Sequence, residues 1–360
     1  MCDGNSVPRE GSGSNSAISL LSQKRLLFFV GKGGVGKTTV ATAVALAFAR
    51  QGKKTLLIEF DENASAARLL GLAPSESRSV DLQQTDHSLF VLSTSGPAAL
   101  EEYLRLIIPV KSLLRAIVTS RAYQYFVAAA PGLKELLTMG KIWYEEHKRE
   151  AHTQQPLWDM LLVDLPATGH SLQYLRMPRA AHETFGGVVG REAERISALL
   201  HDSDKTAVNL VTTPDELPVH ETQEAYGQLV NDLRLPLGML FINRVHRTPL
   251  SSTELGRIRL VASAPASERR LVKQVLDCGQ REAVLAESQA LNLQSLSQLL
   301  LPTVQIPFWF CDEFGFTAVD QLSRKIITPQ HKITEEKMTK RRGGKNSRRE
   351  DIHGGAEGQQ

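Results

Sequence analysis

Short unbroken apolar runs alternate along this chain with longer stretches whose apolar residues recur at helical spacing. Residues 26–30 carry no polar side chain and close on Gly31, the pattern of a parallel strand buried on both faces. Over 38–50, Val40, Val44, Ala47 and Phe48 share one helical face, and Gly52 stands where a left-handed cap would end the helix. Residues 56–60 read as a second strand, and runs of the same kind recur at 89–92, 160–163, 208–211, 239–242 and 304–306. Strands separated by helical stretches imply right-handed crossovers, so the pattern predicts an α/β fold with a doubly wound, mainly parallel sheet. Residues 98–155, 170–205 and 252–300 are mostly helix-compatible and exceed what one crossover needs. They predict a helical subdomain formed by insertions over one end of the sheet within a domain spanning 25–328.

Composition narrows the class. The 360 residues are 42% hydrophobic and 22% charged, which fits a globular chain and excludes a disulfide miniprotein, a collagen-like fibre or a wholly disordered chain. No run approaches 18 consecutive apolar residues, so no membrane-spanning helix is expected. The first 24 residues, rich in Ser, Gly and Asn, read as a flexible leader in which residues 17–21 are too short for a signal-peptide core. Residues 329–360 read as a disordered basic tail. The last thirty residues hold eight basic and five acidic side chains, which leaves 34 of each sign before them. The body is therefore formally neutral, and no nucleic-acid face is expected. Cys2, Cys278 and Cys311 follow no framework spacing and point to a reducing, cytoplasmic setting, with Cys278 on a core-facing helix side.

The first strand runs into Gly31, Lys32, Gly33, Gly34, Val35, Gly36, Lys37, Thr38 and Thr39, which satisfies the phosphate-loop pattern G-x-x-x-x-G-K-[ST]. Glycines let successive N–H groups turn toward phosphate oxygens, and the following helix offers its positive end. Lys37 is then expected on the β and γ phosphates of ATP and the Thr38 hydroxyl on Mg²⁺. Asp61 follows the second strand at the carboxyl edge of the sheet, where a carboxylate can orient an attacking water or cap a helix ahead of it. In the stretch 158–170 apolar residues close on Asp164, the layout of a strand that holds Mg²⁺. Pro166 and Gly169 restrict the loop beyond it in a way that suits a switch.

Lys32, directly after the first loop glycine, gives the form K-G-G-x-G-K-[ST] of the deviant Walker A loop. This resembles the family that contains the ParA and MinD partitioning ATPases, nitrogenase iron protein and the arsenite-pump ATPase. The segment Asp164, Leu165, Pro166, Ala167, Thr168, Gly169, His170 is similar to the Asp-Thr-Ala-Pro-Thr-Gly-His signature of the arsenite-pump (ArsA) branch, departing at Leu165 and in the order of Pro166 and Ala167. The resemblance implies a P-loop ATPase in which Lys32 reaches across a dimer to the partner's nucleotide and Asp61 aligns water. It also implies that Asn243, Pro307 and Phe308 hold adenine and that His170 passes the switch to the helical layer. After Asp61 the usual Pro and His of the family are replaced by Glu62 and Ala64 around Asn63.

The resemblance covers residues 26–325 and implies a homodimer, or a heterodimer with a related ATPase subunit, acting on a protein client or a membrane transporter. A soft metalloid wants clustered thiolates, and no C-x-x-C is present to hold a structural zinc. Leu133, Leu136, Leu137 and Trp143, with Leu104, Ile107 and Ile108, form apolar stripes that either line a client groove or pack inward. Two other expectations compete: a ParA- or MinD-like positioning protein, and a nucleotide-binding regulatory subunit with little turnover.

Overall fold

The computed structural model describes residues 17–60, 63–72, 81–85, 87–93, 120, 132–184, 186–246, 266–309 and 314–327. Among these, eight strands form one sheet: β1 (Leu26–Val30), β2 (Thr55–Glu59), β3 (Asp81–Gln84), β4 (Leu89–Ser93), β5 (Met160–Asp164), β6 (Thr206–Thr212), β7 (Leu237–Val245) and β8 (Thr303–Pro307). Their spatial order is β3-β4-β2-β5-β1-β6-β7-β8. Every neighbouring pair runs parallel except β3 with β4.

The α-helices among the described residues are α1 (Ala17–Leu21), α2 (Lys37–Arg50), α3 (Ser65–Leu69), α4 (Leu133–His147), α5 (Thr168–Thr184), α6 (Gly187–His201), α7 (Glu216–Gly227), α8 (Ala266–Leu296) and α9 (Phe316–Ile327). The sheet is covered on both faces, which is why its central strands β1, β2, β5 and β6 are buried along their whole length. Leu26, Phe28 and Val30 face a core shared with α4, α5, α6 and α7, whereas Leu27 and Phe29 face one shared with α1, α2, α3 and α9. Phe28, Phe29 and Phe48 are wholly enclosed, and each such side chain contributes ~1.5–3 kcal/mol by leaving water. The chain leaves β1 toward β2 on one side and returns to β6 on the other, so the strand order reverses beside β1. The crevice over the carboxyl ends at such a reversal is where open α/β sheets bind ligands.

All seven expected strands are present, with ends displaced by up to three residues. β3 was not expected, because Asp-Leu-Gln-Gln lacks an apolar run; it pairs antiparallel at the sheet edge and leaves Leu82 exposed. Order begins before Arg25: α1 seats Ile18 and Leu21 in the core beside α2 and α9, which corrects the reading of residues 17–24 as part of a flexible leader. Cys278 is exposed on α8, so its expected place in a core is also corrected. The amphipathic pattern of α8 runs past the part that meets the sheet; Leu296 joins the core, whereas Val275, Val284 and Leu291 face outward.

Within the expected insertions, α4, α5 and α6 pack together and share the sheet's core, and Leu136, Met139 and Ile142 of α4 are buried there. Leu136 therefore packs inward, Leu137 and Trp143 are half-buried, and the Leu133 side chain lies outside the described residues, as do Leu104, Ile107 and Ile108. Residues 1–16, 329–360, Cys2 and Cys311 lie outside them too.

Candidate functional site

β1 delivers the chain into the glycine-rich loop at the reversal point, and α2 begins at Lys37. Gly36 takes φ 90°, a left-handed conformation that disfavours side chains. A Cβ there would also collide with the Asn243 amide nitrogen, and one on Gly31 would collide with the Val211 carbonyl oxygen. The loop is thus tucked against the ends of β6 and β7. The first N–H groups of α2 have no intrahelical acceptor. With Gly36 as cap no side chain satisfies them, and no acidic residue occupies the first turn. Oxygen anions are the complementary ligand for such a terminus.

Lys37 lies at the start of this helix, where burial lowers its pKa from the ordinary value while the Asp164 carboxylate opposes the shift. Asp164 ends β5, one strand from β1, and is only 6% exposed. Its Oδ2 accepts a hydrogen bond from Thr38 Oγ1 at 2.5 Å. The hydroxyl and carboxylate brought together here are hard oxygen donors of the kind Mg²⁺ takes along with water and phosphate oxygens. Among the described residues no three His, Cys, Asp or Glu side chains form a metal cluster. A cation at this point fits a site completed by a nucleotide, not a closed protein cage.

Lys32 points elsewhere. Its Nζ donates to Glu221 Oε1 of α7 at 2.7 Å, with both side chains about one-third exposed. Asp61 lies outside the described residues. The elements on either side of it are held by Glu59, a fully buried carboxylate at the end of β2, in register with Asp164. Glu59 accepts from the Ala66 N–H at 2.7 Å and from the Ser93 hydroxyl at 2.5 Å. It therefore binds the start of α3 to the sheet edge.

At the other end, Asn243 near the end of β7 donates from Nδ2 to the Val35 carbonyl at 2.9 Å. Pro307 ends β8 and pairs in register with Val245, and the Phe308 N–H bonds the Val245 carbonyl at 3.0 Å. The Phe308 ring, 37% exposed, stacks on His246 with centroids 4.7 Å apart. His246 Nδ1 meets Glu282 Oε2 of α8 at 2.7 Å, and Gln289 Oε1 accepts from the His246 N–H at 2.8 Å. The structure thus gathers Gly31 to Thr39, Asp164, Asn243, Pro307 and Phe308 along one edge of the sheet. His170 is exposed in the first turn of α5, beyond the Asp164 strand.

Sequence reading missed Glu59, Glu221, His246, Glu282 and Gln289. Glu59 carried a signal, a charge closing the apolar run of β2; the others depend on partners far away in the chain.

Residues 24–192 match the family model described as anion-transporting ATPase. The chain is 34% identical over 243 residues to the ATPase BagA of Mycobacterium tuberculosis, covering 66% of this chain and 71% of that protein. It is 28% identical over 164 residues to the arsenical pump-driving ATPase of Escherichia coli, covering 43% of this chain and 25% of the other. A protein of the same name from Acidiphilium multivorum is 26% identical over 242 residues, covering 61% and 39%.

Proposed function

The chain belongs to the anion-transporting ATPase (ArsA) family and is an ATP-hydrolysing enzyme, and from that premise we propose that it works as a Mg²⁺-dependent dimeric switch coupled to a client protein or membrane transporter. The observation that carries the reading is the Thr38–Asp164 contact at the mouth of the loop, beside the half-buried Lys37. A hydroxyl, a carboxylate and an ammonium meet where helix N–H groups point outward, and together they match a nucleotide's phosphates.

In this reading the N–H groups from Gly33 to Thr39 cradle the phosphates and Lys37 holds the β and γ oxygens. Asn243, Pro307 and Phe308 take the adenine. Thr38 and Asp164 would hold Mg²⁺, which would supply positive charge against the negative charge that builds on the phosphate oxygens. Asp61 orients the water whose oxygen bonds to the γ phosphorus as the bond to the β–γ bridging oxygen breaks, giving ADP and phosphate. Lys32 supplies a second cation to the neighbouring subunit's nucleotide, a contribution of the kind worth about 10³–10⁵ in rate when given in trans. Closure on ATP passes from Asp164 through the loop to His170 and the helices α4 to α6. Among the described residues no helix is long and apolar enough to cross a membrane.

Phosphate release by the purified chain, followed over a range of protein concentrations, tests this. Specific activity is expected to rise with concentration and level off, and both Asp61→Asn and Lys32→Ala are expected to lower it about 10²-fold or more. Turnover indifferent to concentration and to both substitutions would overturn the proposal. Asp61→Asn protein held in ATP is the bait for the client, because a trapped closed state retains what the open state releases.

A further inference from the structure

Lys32 is tethered in this structure to a carboxylate of its own chain. Glu221 lies on the second turn of α7, the helix that follows β6 and therefore stands beside the strand that feeds the loop. α7 itself is firmly placed. Val219, Thr222 and Ala225 are buried on its inner side, Gln223 Nε2 donates to Ser295 Oγ of α8 at 2.7 Å, and Asn292 Nδ2 donates to the Pro214 carbonyl just ahead of α7 at 3.0 Å. The pair therefore joins a long, adaptable lysine to a carboxylate on a fixed platform. Lys32 thus bonds a carboxylate of α7, whereas Thr38 of the same loop bonds Asp164 of β5.

We infer that Glu221 is a positioning residue for Lys32: it parks the lysine in cis in the nucleotide-free chain, and assembly of the ATP-bound dimer must transfer that cation from Glu221 to the neighbour's phosphates. The inference rests on the proposal that Lys32 acts across a dimer. A single carboxylate satisfies a partly exposed ammonium, whereas a triphosphate offers a much denser charge, so the transfer runs downhill only when a second subunit brings its nucleotide within reach. Until then Glu221 occupies the position relative to Lys32 that a phosphate oxygen takes later. The latch opposes dimer formation modestly, because a partly exposed ion pair is worth little. Two latches open for each dimer formed.

The test compares wild type, Glu221→Gln, Glu221→Asp, Lys32→Ala and the Lys32→Ala/Glu221→Gln double variant in Mg²⁺ and ATP. Assembly is read by sedimentation and turnover by phosphate release. Glu221→Gln, which keeps shape and removes charge, is expected to lower the half-saturating protein concentration for both readouts by roughly two- to twentyfold. The effect lies in that concentration and not in the plateau. Glu221→Asp, which keeps the charge and shortens its reach, is expected between Glu221→Gln and wild type. Adding Glu221→Gln to Lys32→Ala is expected to change assembly no further, since the residue acts only through the lysine.

An equal shift in the Lys32→Ala background, or an unchanged or raised half-saturating concentration in Glu221→Gln with a wild-type unfolding midpoint, would overturn the latch. If Glu221→Gln fails to fold, Glu221→Asp decides by the same shift. A wild-type turnover indifferent to concentration and to Lys32 would instead defeat the underlying dimer reading, and the two failures are distinguishable.

Discussion

The two ends of the proposed nucleotide edge are built differently. At β1 and β5 the site is made of one strand, one loop and one helix in direct succession, with a single carboxylate added from the adjacent strand. Backbone conformation sets most of that geometry, and the strands that carry it, β1 and β5, are buried along their whole length. At β7 and β8 the site is assembled from side chains far apart in sequence: Asn243 on the loop, Phe308 on His246, and His246 on Glu282 and Gln289 of α8. Several of these remain partly open to water. Fixed N–H groups suit phosphate, whose charge must be met without reorganisation, whereas stacking and amide contacts suit a base that tolerates small displacement. Substitutions should therefore act on chemistry at the first end and on affinity at the second.

The largest effect is expected at Lys37. Removing a preorganised cation from the phosphates costs about 10²–10³-fold in turnover, so Lys37→Met should nearly abolish phosphate release. Its effect on stability should have the opposite sign. Burial depresses the Lys37 pKa in the folded chain, so the unfolded chain holds that proton to higher pH. The penalty is fully present at neutral pH and is relieved as pH rises through the folded value toward the ordinary lysine range near ~10.4. Urea unfolding without nucleotide should show Lys37→Met more stable than wild type at pH 7, by a margin that shrinks at alkaline pH. A less stable variant would mean that the loop is not strained by its own cation.

Next comes Gly36→Ala, which imposes a side chain on φ 90° and drives it into Asn243. A cost of about 1–3 kcal/mol in unfolding free energy is expected from the backbone alone. Loss of ATP-dependent thermal stabilisation should accompany it. Retention of full stability would show that the loop adapts as freely as the opposite end.

The same contrast governs what was legible in the sequence. β1, β2 and β4 to β7 read clearly because helices cover both faces and favour continuous apolar runs, while β8 showed itself by the alternation of buried Val304 and Ile306 with exposed Gln305. The phosphate loop was legible because its residues are consecutive and each glycine has a local reason. β3 was not, since an edge strand pairing through its backbone needs no apolar side chains. α1 escaped because two buried residues in five make no periodic signal, and its docking against α9 is a tertiary fact. Cys278 was misplaced because helical periodicity persists along α8 after the sheet has ended. Glu221 and His246 could not have been singled out, as nothing near either one in sequence announces a partner.

Asn243→Ala lies between the two ends. It removes the hydrogen bond to the Val35 carbonyl and with it about 0.5–1.5 kcal/mol. ATP affinity should fall about two- to tenfold while the plateau rate changes less, which titration with a fluorescent adenine nucleotide alongside steady-state kinetics would separate. An equal fall in affinity for tripolyphosphate, which carries no base, would place the effect on the loop and not on the adenine.

The smallest effect is expected at Glu282. A carboxylate can only accept, so its contact with His246 fixes the imidazole proton on Nδ1. Glu282→Gln keeps an accepting oxygen and exchanges a charge-assisted bond for a neutral one, a loss of about 0.5–1 kcal/mol for a pair this close to solvent. Gln289 still holds the His246 backbone, so global unfolding should hardly change. The change belongs in local opening, which amide hydrogen exchange reports. Exchange at 244–246 and at Phe308 should accelerate up to about fivefold, while amides of 33–38, which have no direct bond to His246 or Glu282, keep their wild-type rates. If the loop amides accelerate equally, the two ends open as one unit and the division between a rigid phosphate end and an adjustable base end is lost.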